Sequence, residues 1–267
     1  MKHPDCTVLV VSCDAYADTL PPFIALWHKF WSDCPFETVL LTETIPCPGF
    51  DRILPVGKCN DWAPRICRAI SQINTPYVLL VLNDYYLSRP IDTTRILKRL
   101  EEAKRCQALN LRLVPNPAGR KPWEGSDLLE MPKNVAYCIT CQVGIWNKDF
   151  FAKLLSKTRS AWEFERYGSF MVADETRPLL VTKEKEFPFV DAVHKGYWEK
   201  EGLELCQRNG IPLDLTVRGR PPFRVKAREA LKSLIFALFP WTLIVRIQNL
   251  FNIGMKERNK PAARAED

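Results

Sequence analysis

The residues that could do chemistry fall in a few short stretches. The most telling is Tyr77 to Pro90, YVLLVLNDYYLSRP, where an apolar run ends abruptly on Asn83, Asp84, Tyr85 and Tyr86. An acidic residue at the end of a buried strand can hold a divalent cation, and such a cation can neutralise a diphosphate. Asp84 can equally cap the turn that follows. A second stretch, Ser12-Cys13-Asp14-Ala15-Tyr16-Ala17-Asp18, sets Asp14 and Tyr16 where a base or ribose could be met. It holds no glycine, so its backbone cannot close on a pyrophosphate as a P-loop or a GxGxxG turn does. As ordinary loop residues, Asp14 and Asp18 would be caps.

Three further stretches carry candidates. In Asp61-Trp62-Ala63-Pro64-Arg65, a helix starts with its positive dipole end near the same rim, and Arg65 and Arg68 could reach an anion; as a surface pair they would simply be solvated. In Ser160-Ala161-Trp162-Glu163-Phe164-Glu165-Arg166, the two carboxylates are two apart, so on a helix only one can point into a given pocket. Burial against Trp162 or Phe164 would raise a carboxylate pKa toward that of a general base, whereas acids at a helix start are also favoured by the dipole alone. In Asp191-Ala-Val-His194-Lys-Gly196-Tyr-Trp198, His194 stands where a metal or phosphate ligand would, with Asp84 as its candidate metal partner, although a lone histidine is commonly structural. Cys138-Ile-Thr-Cys141 could be half a zinc site, but no second CxxC or HxxxH follows and its surroundings alternate like a strand, so it reads as structural.

The elements that must position these groups alternate between strand and helix. Strands are expected at Thr7–Val11, Thr38–Thr42, Tyr77–Leu82, Ala108–Val114, Tyr137–Trp146, Leu179–Thr182 and Phe187–Val193. Helices are expected at Leu20–Trp31, Asp61–Ile73 with Asp61 as N-cap, Thr93–Cys106, Lys148–Leu155 and Ala161–Phe170. This βαβαβ order predicts an α/β fold, doubly wound and Rossmann-like, with a mostly parallel central sheet flanked by helices. Ligands of such sheets bind beyond the carboxyl ends of the strands. Pro115 to Pro132, with its prolines and glycines, reads as a long loop of the kind that covers a site.

The chain has 267 residues, a net charge of +7 and ten cysteines. The cysteines lack a disulfide spacing and read as small buried hydrophobes. Much of the positive charge falls beyond Arg218, which predicts a local basic tail and no nucleic-acid groove. The organisation expected is one domain over residues 1–217 and a tail over 218–267. In that tail Arg218, Arg220, Arg224, Lys226, Arg228 and Lys232 precede an aromatic stretch with Phe236, Phe239, Trp241 and Phe251, interrupted by Pro240. Such a mixture suits an amphipathic helix lying at a membrane surface; the other reading packs it on the core or in a dimer. No signal peptide is read at the N-terminus, so a cytoplasmic protein, peripheral at the inner face of the membrane, is expected.

Taken in order, SCDAYAD, PFIALWHKFWSDCPF, DWAPRICRAISQINTPYVLLVLNDYYLSRPID, CQVGIWNKDFFAKLL, SAWEFERYGS and HKGYW resemble the GT-A-type glycosyltransferases of bacterial capsule, O-antigen and exopolysaccharide clusters. The resemblance covers about residues 5 to 215. It implies a GT-A-like fold and a nucleotide-sugar donor, UDP-linked by preference, with transfer to a glycan acceptor that can be lipid-linked. By the same resemblance Asp14 and Tyr16 approach the nucleoside, and Arg65 its ribose or diphosphate. Asn83 and Asp84 take the place of a DXD-like pair, and His194 that of a ligand closing over metal and diphosphate. Gln142 and Trp146, joined by Trp162 and Trp198, line the sugar or acceptor, and Glu163 is the base of an inverting displacement, with Glu165 as its neighbour. A divalent metal, Mn²⁺ or Mg²⁺, is implied at Asp84 and His194. The family commonly has two acids where this chain has Asn83-Asp84, and the amide brings no charge, which weakens the metal site. Two rival classes are a nucleotidyltransferase, which would normally carry a glycine-rich basic loop after the first strand, and a non-catalytic scaffold subunit of a polysaccharide assembly complex.

Overall fold

The computed structural model describes residues 2–222 apart from Asn134 and Ala136. The chain divides into two compact units, Met1–Val190 and Asp191–Asp267, so the boundary expected after residue 217 falls inside the second. The basic aromatic stretch beyond residue 222 lies outside the described residues. Among the described residues, no helix is long and apolar enough to cross a membrane.

In the first unit, β1 (Cys6–Val11), β2 (Glu37–Thr42) and β4 (Tyr77–Leu82) are runs of Val, Leu and Thr buried along nearly their whole length. Strands covered on both faces must read this way. With β3 (Arg52–Pro55) they pair in parallel in the order β3-β2-β1-β4. Next to β4 the sheet takes in β9 (Gly144–Asn147), which runs antiparallel both to β4 and to β6 (Asn110–Arg112). Then come β10 (Leu179–Thr182), parallel to β6, and the hairpin strands β8 (Leu128–Glu130) and β7 (Lys121–Pro122), giving nine strands in all. The chain steps from β1 outward to β2 and β3, then returns to place β4 on the other side of β1. That reversal is a topological switch point, and it opens a crevice at the carboxyl ends of β1 and β4.

Among the described residues this unit has five α-helices: α1 (Leu20–Phe30), α2 (Trp62–Ile70), α3 (Thr93–Arg105), α4 (Lys148–Leu155) and α5 (Ala161–Met171). α1 carries prolines in its first turn, where no intrahelical N–H is lost, and buries Phe23, Leu26 and Trp27. α3 and α4 start on side-chain caps: Asp92 accepts from the Arg95 N–H at 3.0 Å and Asn147 from that of Phe150 at 3.1 Å. Asp61, expected to cap α2, makes no such bond; its carboxylate goes to Arg159 at 2.7 Å. Between the sheet and the pair α4 and α5, Trp146 stacks on Phe151 at 4.9 Å and meets Phe164 edge-on at 5.6 Å.

Most expected elements occur within a few residues of their predicted places, but three readings change. β3 was not foreseen. The 115–132 stretch contains β7 and β8, which extend the sheet at the edge away from the switch point. The strand expected from Tyr137 starts only at Gly144, because the 138–142 backbone takes its partners from α5 and from its own side chains. The ten cysteines are all free.

Far from the switch point, the Arg99 side chain of α3, 1% exposed, uses its whole guanidinium fork. Nη1 donates to Glu102 and Asp127 at 2.6 Å each, Nη2 to Asp127 at 2.9 Å and to Glu186 at 2.5 Å, and Nε to Glu186 at 2.8 Å. One helix residue thus ties down the β7–β8 hairpin and the loop after β10. These hydrogen bonds from Arg99 hold the Asp127 carboxyl well below the usual range. Arg99→Met should cost about 3–5 kcal/mol in urea unfolding, because buried Glu186 and Glu102 would be left with only the exposed side chains of Arg95 and Lys98 as partners. Since the Asp127 pKa is depressed on folding, its contribution is present above about pH 3.9 and is lost as pH falls below that value. The acid limb of the stability profile should therefore be shallower in the variant.

Candidate active site

The rim at the carboxyl ends of β1, β2 and β4 is knit together by its own polar groups. After β1 the chain turns into a 3₁₀ helix, Asp14–Thr19. Asp14 faces the end of β2: Oδ1 accepts the N–H groups of Thr44 and Ile45 at 2.9 and 3.1 Å, and Oδ2 the Thr44 hydroxyl. Burial alone would raise its pKa, but these donors win and lower it. Glu43 is a hub that the sequence did not single out. Its carboxylate accepts the Asp14 N–H at 3.1 Å and the Cys59 N–H at 3.4 Å, and pairs with Arg65 Nη1 at 3.0 Å. Arg65 is buried, so its charge is spent within the protein. Its Nε has no hydrogen-bond partner among the described residues. Cys13 lies beside it; burial raises that thiol's pKa and the Arg65 charge works against the rise.

Asn83 is likewise occupied. Its Nδ2 donates to Thr19 Oγ1 at 2.5 Å and to the Tyr16 carbonyl at 3.4 Å, which ties the end of β4 to the 3₁₀ helix. Thr19 gives its own proton to the same Tyr16 carbonyl at 2.7 Å. A carboxylate here would bring no N–H to Thr19 Oγ1, although the Tyr16 carbonyl would keep the Thr19 proton. The amide at position 83 therefore has a structural use.

On the β6 side the groups are less committed. β9 brings the 138–142 segment to the same rim, with Gly144 opposite Leu80 of β4 and opposite Arg112 of β6. A Cβ on Gly144 would lie 2.8 Å from the Asn110 amide, so glycine permits this close approach. α5 docks on the segment in the same way: Gly168 passes so near Ile139 that a Cβ would sit 2.9 Å from it. There Ser169 Oγ accepts the Ile139 N–H at 3.2 Å and Glu165 Oε1 the Cys141 N–H at 2.8 Å. Burial pushes the Glu165 pKa up, against the Cys141 hydrogen bonds and the Arg112 charge. Burial, then Glu165 and Asp84, drive the Cys141 thiol well above its ordinary value. Asp84 and Glu165 thus act on one cysteine from two places in the chain, and both are partly exposed. Gln142 Oε1 is buried and has no hydrogen-bond partner among the described residues.

The remaining candidates scatter. Glu163 is a helix cap: its N–H donates to Ser160 Oγ at 3.1 Å and its carboxylate accepts the Arg159 N–H at 2.8 Å. Trp146, 0% exposed, is a core residue and faces no solvent. Trp162, by contrast, is exposed, with Tyr167 and Phe170 on the same helix. His194 and Trp198 belong to the second unit. There β12 (Val193–His194) and β13 (Tyr197–Trp198) form a hairpin turned by Lys195 and Gly196, both at positive φ. His194 is exposed and Trp198 buried. In the first unit, Asp84 offers one carboxylate beside an amide already in use. That set does not fit Mg²⁺ or Mn²⁺, which call for several oxygen ligands. His3, Asp5 and Glu101 do bring ligand atoms within 4.8 Å of one another. They stand at the opposite end of β1, and Lys104 already binds both carboxylates, at 2.6 and 2.9 Å.

No protein-family model and no curated protein matches the chain. Solved structures do. They include a cytidylyltransferase from Leptospira borgpetersenii serovar Hardjo-bovis, 13% identical at TM-score 0.39, covering 83% of this chain and 100% of that one. Another is S. aureus TarS 1-349, 13% identical at TM-score 0.41, covering 67% and 60%. A third is the bifunctional IspDF from Campylobacter jejuni, 11% identical at TM-score 0.39, covering 70% and 52%. The chain therefore spans about half to three-fifths of the length of the last two.

Two outcomes follow from the geometry. Asn83→Asp should lose about 1–3 kcal/mol in chemical denaturation, the cost of losing the bond to Thr19 Oγ1 and of setting a carboxylate against the Tyr16 carbonyl, and should gain no Mn²⁺-dependent stability. Because the Glu165 pKa is raised on folding, the native state holds its proton more tightly. Stability should then fall as pH rises from about 4.3 through the raised midpoint, and Glu165→Gln should remove that slope in thermal melts across pH.

Proposed function

We propose that this chain is a nucleotide-sugar-dependent glycosyltransferase with a GT-A-like first unit, acting on a glycan acceptor in bacterial surface polysaccharide synthesis. The observation that carries the reading is the placement of Glu165. A partly buried carboxylate with a raised pKa lies at the carboxyl-end rim, sharing Cys141 with Asp84 beside the switch-point crevice. The ordered resemblance along residues 5 to 215 supports the reaction class.

In this reading Glu165, not the capping Glu163, is the base. Its carboxylate takes the proton of the acceptor hydroxyl while that oxygen bonds to the anomeric carbon and the bond to the nucleoside diphosphate breaks, inverting the centre. Tyr16 and the Asp14 loop border the nucleoside; Asp14, Arg65 and Asn83 hold that border in shape and contribute through backbone and position. Asp84 and Gln142 meet sugar hydroxyls. Trp162, with Tyr167 and Phe170, offers apolar faces on which acceptor rings can stack. We assign His194 and Trp198 no step. The composition of the tail supports an acceptor presented at the cytoplasmic membrane surface, lipid-linked by preference.

A second reading, a scaffold subunit without transfer, is favoured by one specific finding: Asp14, Arg65 and Asn83 are already bonded within the protein. A thermal-shift panel with UDP, GDP, CMP and dTDP nucleotides, each with and without Mn²⁺ or Mg²⁺, separates the two. One nucleotide should raise the melting temperature, because a ligand of the folded state stabilises it by mass action. No shift with any of them would favour the scaffold. With the donor known, Glu165→Gln should lower transfer by about two to four powers of ten and leave the nucleotide shift intact. Glu163→Gln should transfer normally.

A further inference from the structure

Arg112 played no part in the sequence-level reading, yet it is a charged residue buried on the β6 side of this rim. It closes β6, pairs with Gly144 of β9 and with Val181 of β10, and is 2% exposed. A buried guanidinium normally sits on a carboxylate in a two-pronged ion pair. Here Nη1 donates instead to the Asn116 carbonyl at 3.2 Å, and to the Tyr137 carbonyl and Thr140 Oγ1 at 3.5 Å each. Nε has no hydrogen-bond partner among the described residues. Burial brings its pKa down to about 10, with Cys138 and Glu165 acting against the fall. The Tyr137 it holds has φ of +59°, a conformation that bulky residues avoid unless their surroundings impose it.

We propose that Arg112 is the positioning residue of this site: its guanidinium clamps the 137–140 turn, whose next residue, Cys141, gives its N–H to Glu165, and it serves as the cationic counterweight of that carboxylate. The proposal rests on the reading of Glu165 as proton acceptor. The groups around Glu165 make the assignment specific. From the 138–142 segment come the Cys141 N–H and thiol; Tyr137 adds a phenol, and Asp84, at the end of β4, a negative charge next to Cys141. Arg166, on the same helix, acts on Tyr137 together with Glu165. Of these groups Arg112 is the cation that favours the ionised form of Glu165 directly.

A clamp and a counterweight respond differently to substitution. Arg112→Gln keeps N–H donors for the turn and removes the charge; Arg112→Lys keeps the charge and removes the fork. The decisive measurement is a ¹³C NMR titration of glutamate carboxyls in the full chain, with the Glu165 signal assigned by its loss in Glu165→Gln. The inference expects the Glu165 midpoint to move upward in Arg112→Gln and to stay near the wild-type value in Arg112→Lys. An unchanged midpoint in folded Arg112→Gln overturns it, since a purely structural arginine would alter stability alone.

Should Arg112→Gln not fold, the double variant Arg112→Gln with Glu165→Gln decides. Recovery of folding supports the pairing, and an equally unfolded double variant overturns it. The same series assayed for transfer keeps the two readings apart. If the midpoint moves and the acid limb of the rate profile does not follow, Glu165 is not the proton acceptor, while the assignment of Arg112 stands.

Discussion

The site depends on one constraint, the antiparallel insertion of β9 between β4 and β6. Had β9 run parallel to its neighbours, the chain would enter it at the opposite edge of the sheet, and residues 138–142 would be far from the strand ends. Running the other way, the segment before Gly144 must arrive at the carboxyl ends of β4 and β6. It then meets the residues after β4 on one side and Arg112 on the other. That segment has no strand partner at this level, so its N–H groups need acceptors from elsewhere. Ser169 and Glu165 of α5 supply two of them. The antiparallel strand, the turn and the helix are thus one device, closed by the short approaches at Gly144 and Gly168.

The two halves of the rim divide structural from chemical work. Around β1 and β2, Asp14, Glu43, Arg65, Asn83 and Thr19 satisfy one another and the loop backbones. A charge taken out of water has to be paired, and Arg65 is paired with Glu43. Around β4 and β6 the balance differs. Glu165 accepts a backbone N–H, the Asp84 charge acts on the same cysteine, and a buried arginine holds carbonyls in place of a carboxylate. Unequal environments of this kind push titratable groups apart, which is how folds prepare acids and bases.

Much of the fold was legible because it is written in local pattern. The Val and Leu runs of β1, β2 and β4, the periodic apolar face of α1, and the limits of α4 and β10 needed no tertiary information. β3 escaped because it is four residues long, ends on Pro55 and lies at the sheet edge. β7 and β8 hid in a proline-rich stretch whose turn chemistry read as loop. The 137–143 stretch misled because buried Cys138, Ile139 and Cys141 imitate a strand, whereas their burial comes from long-range packing under α5.

The site was legible as a set of neighbourhoods but not as roles. Glu163 and Glu165 read as divergent, and which one meets the 138–142 segment depends on Ser160 capping the helix and on Gly168 letting it approach. Asn83 read as a weakened acid, and only the positions of Tyr16 and Thr19 show why an amide is needed. For Arg112 a signal did exist, a lone charge in the apolar strand of residues 108–114. Such a charge must be exposed, paired or functional, and 52 residues of intervening chain concealed its link to Glu165.

Charge also constrains how any leaving diphosphate would be met. Arg65 is neutralised by Glu43, and the residue beside Asp84 is an amide, so the cations left outside a buried pair in the β1–β2 half include Lys58, which acts on Asp14, and exposed Arg68, which donates to the Val56 carbonyl at 3.0 Å. Transition-state charge is stabilised by groups already aimed at it, not by groups that must first break a buried pair. If the first unit is the transferase proposed above, a departing diphosphate would be met by backbone N–H groups at the rim and by exposed cations such as Lys58 and Arg68, not by Arg65, whose charge is already held by Glu43.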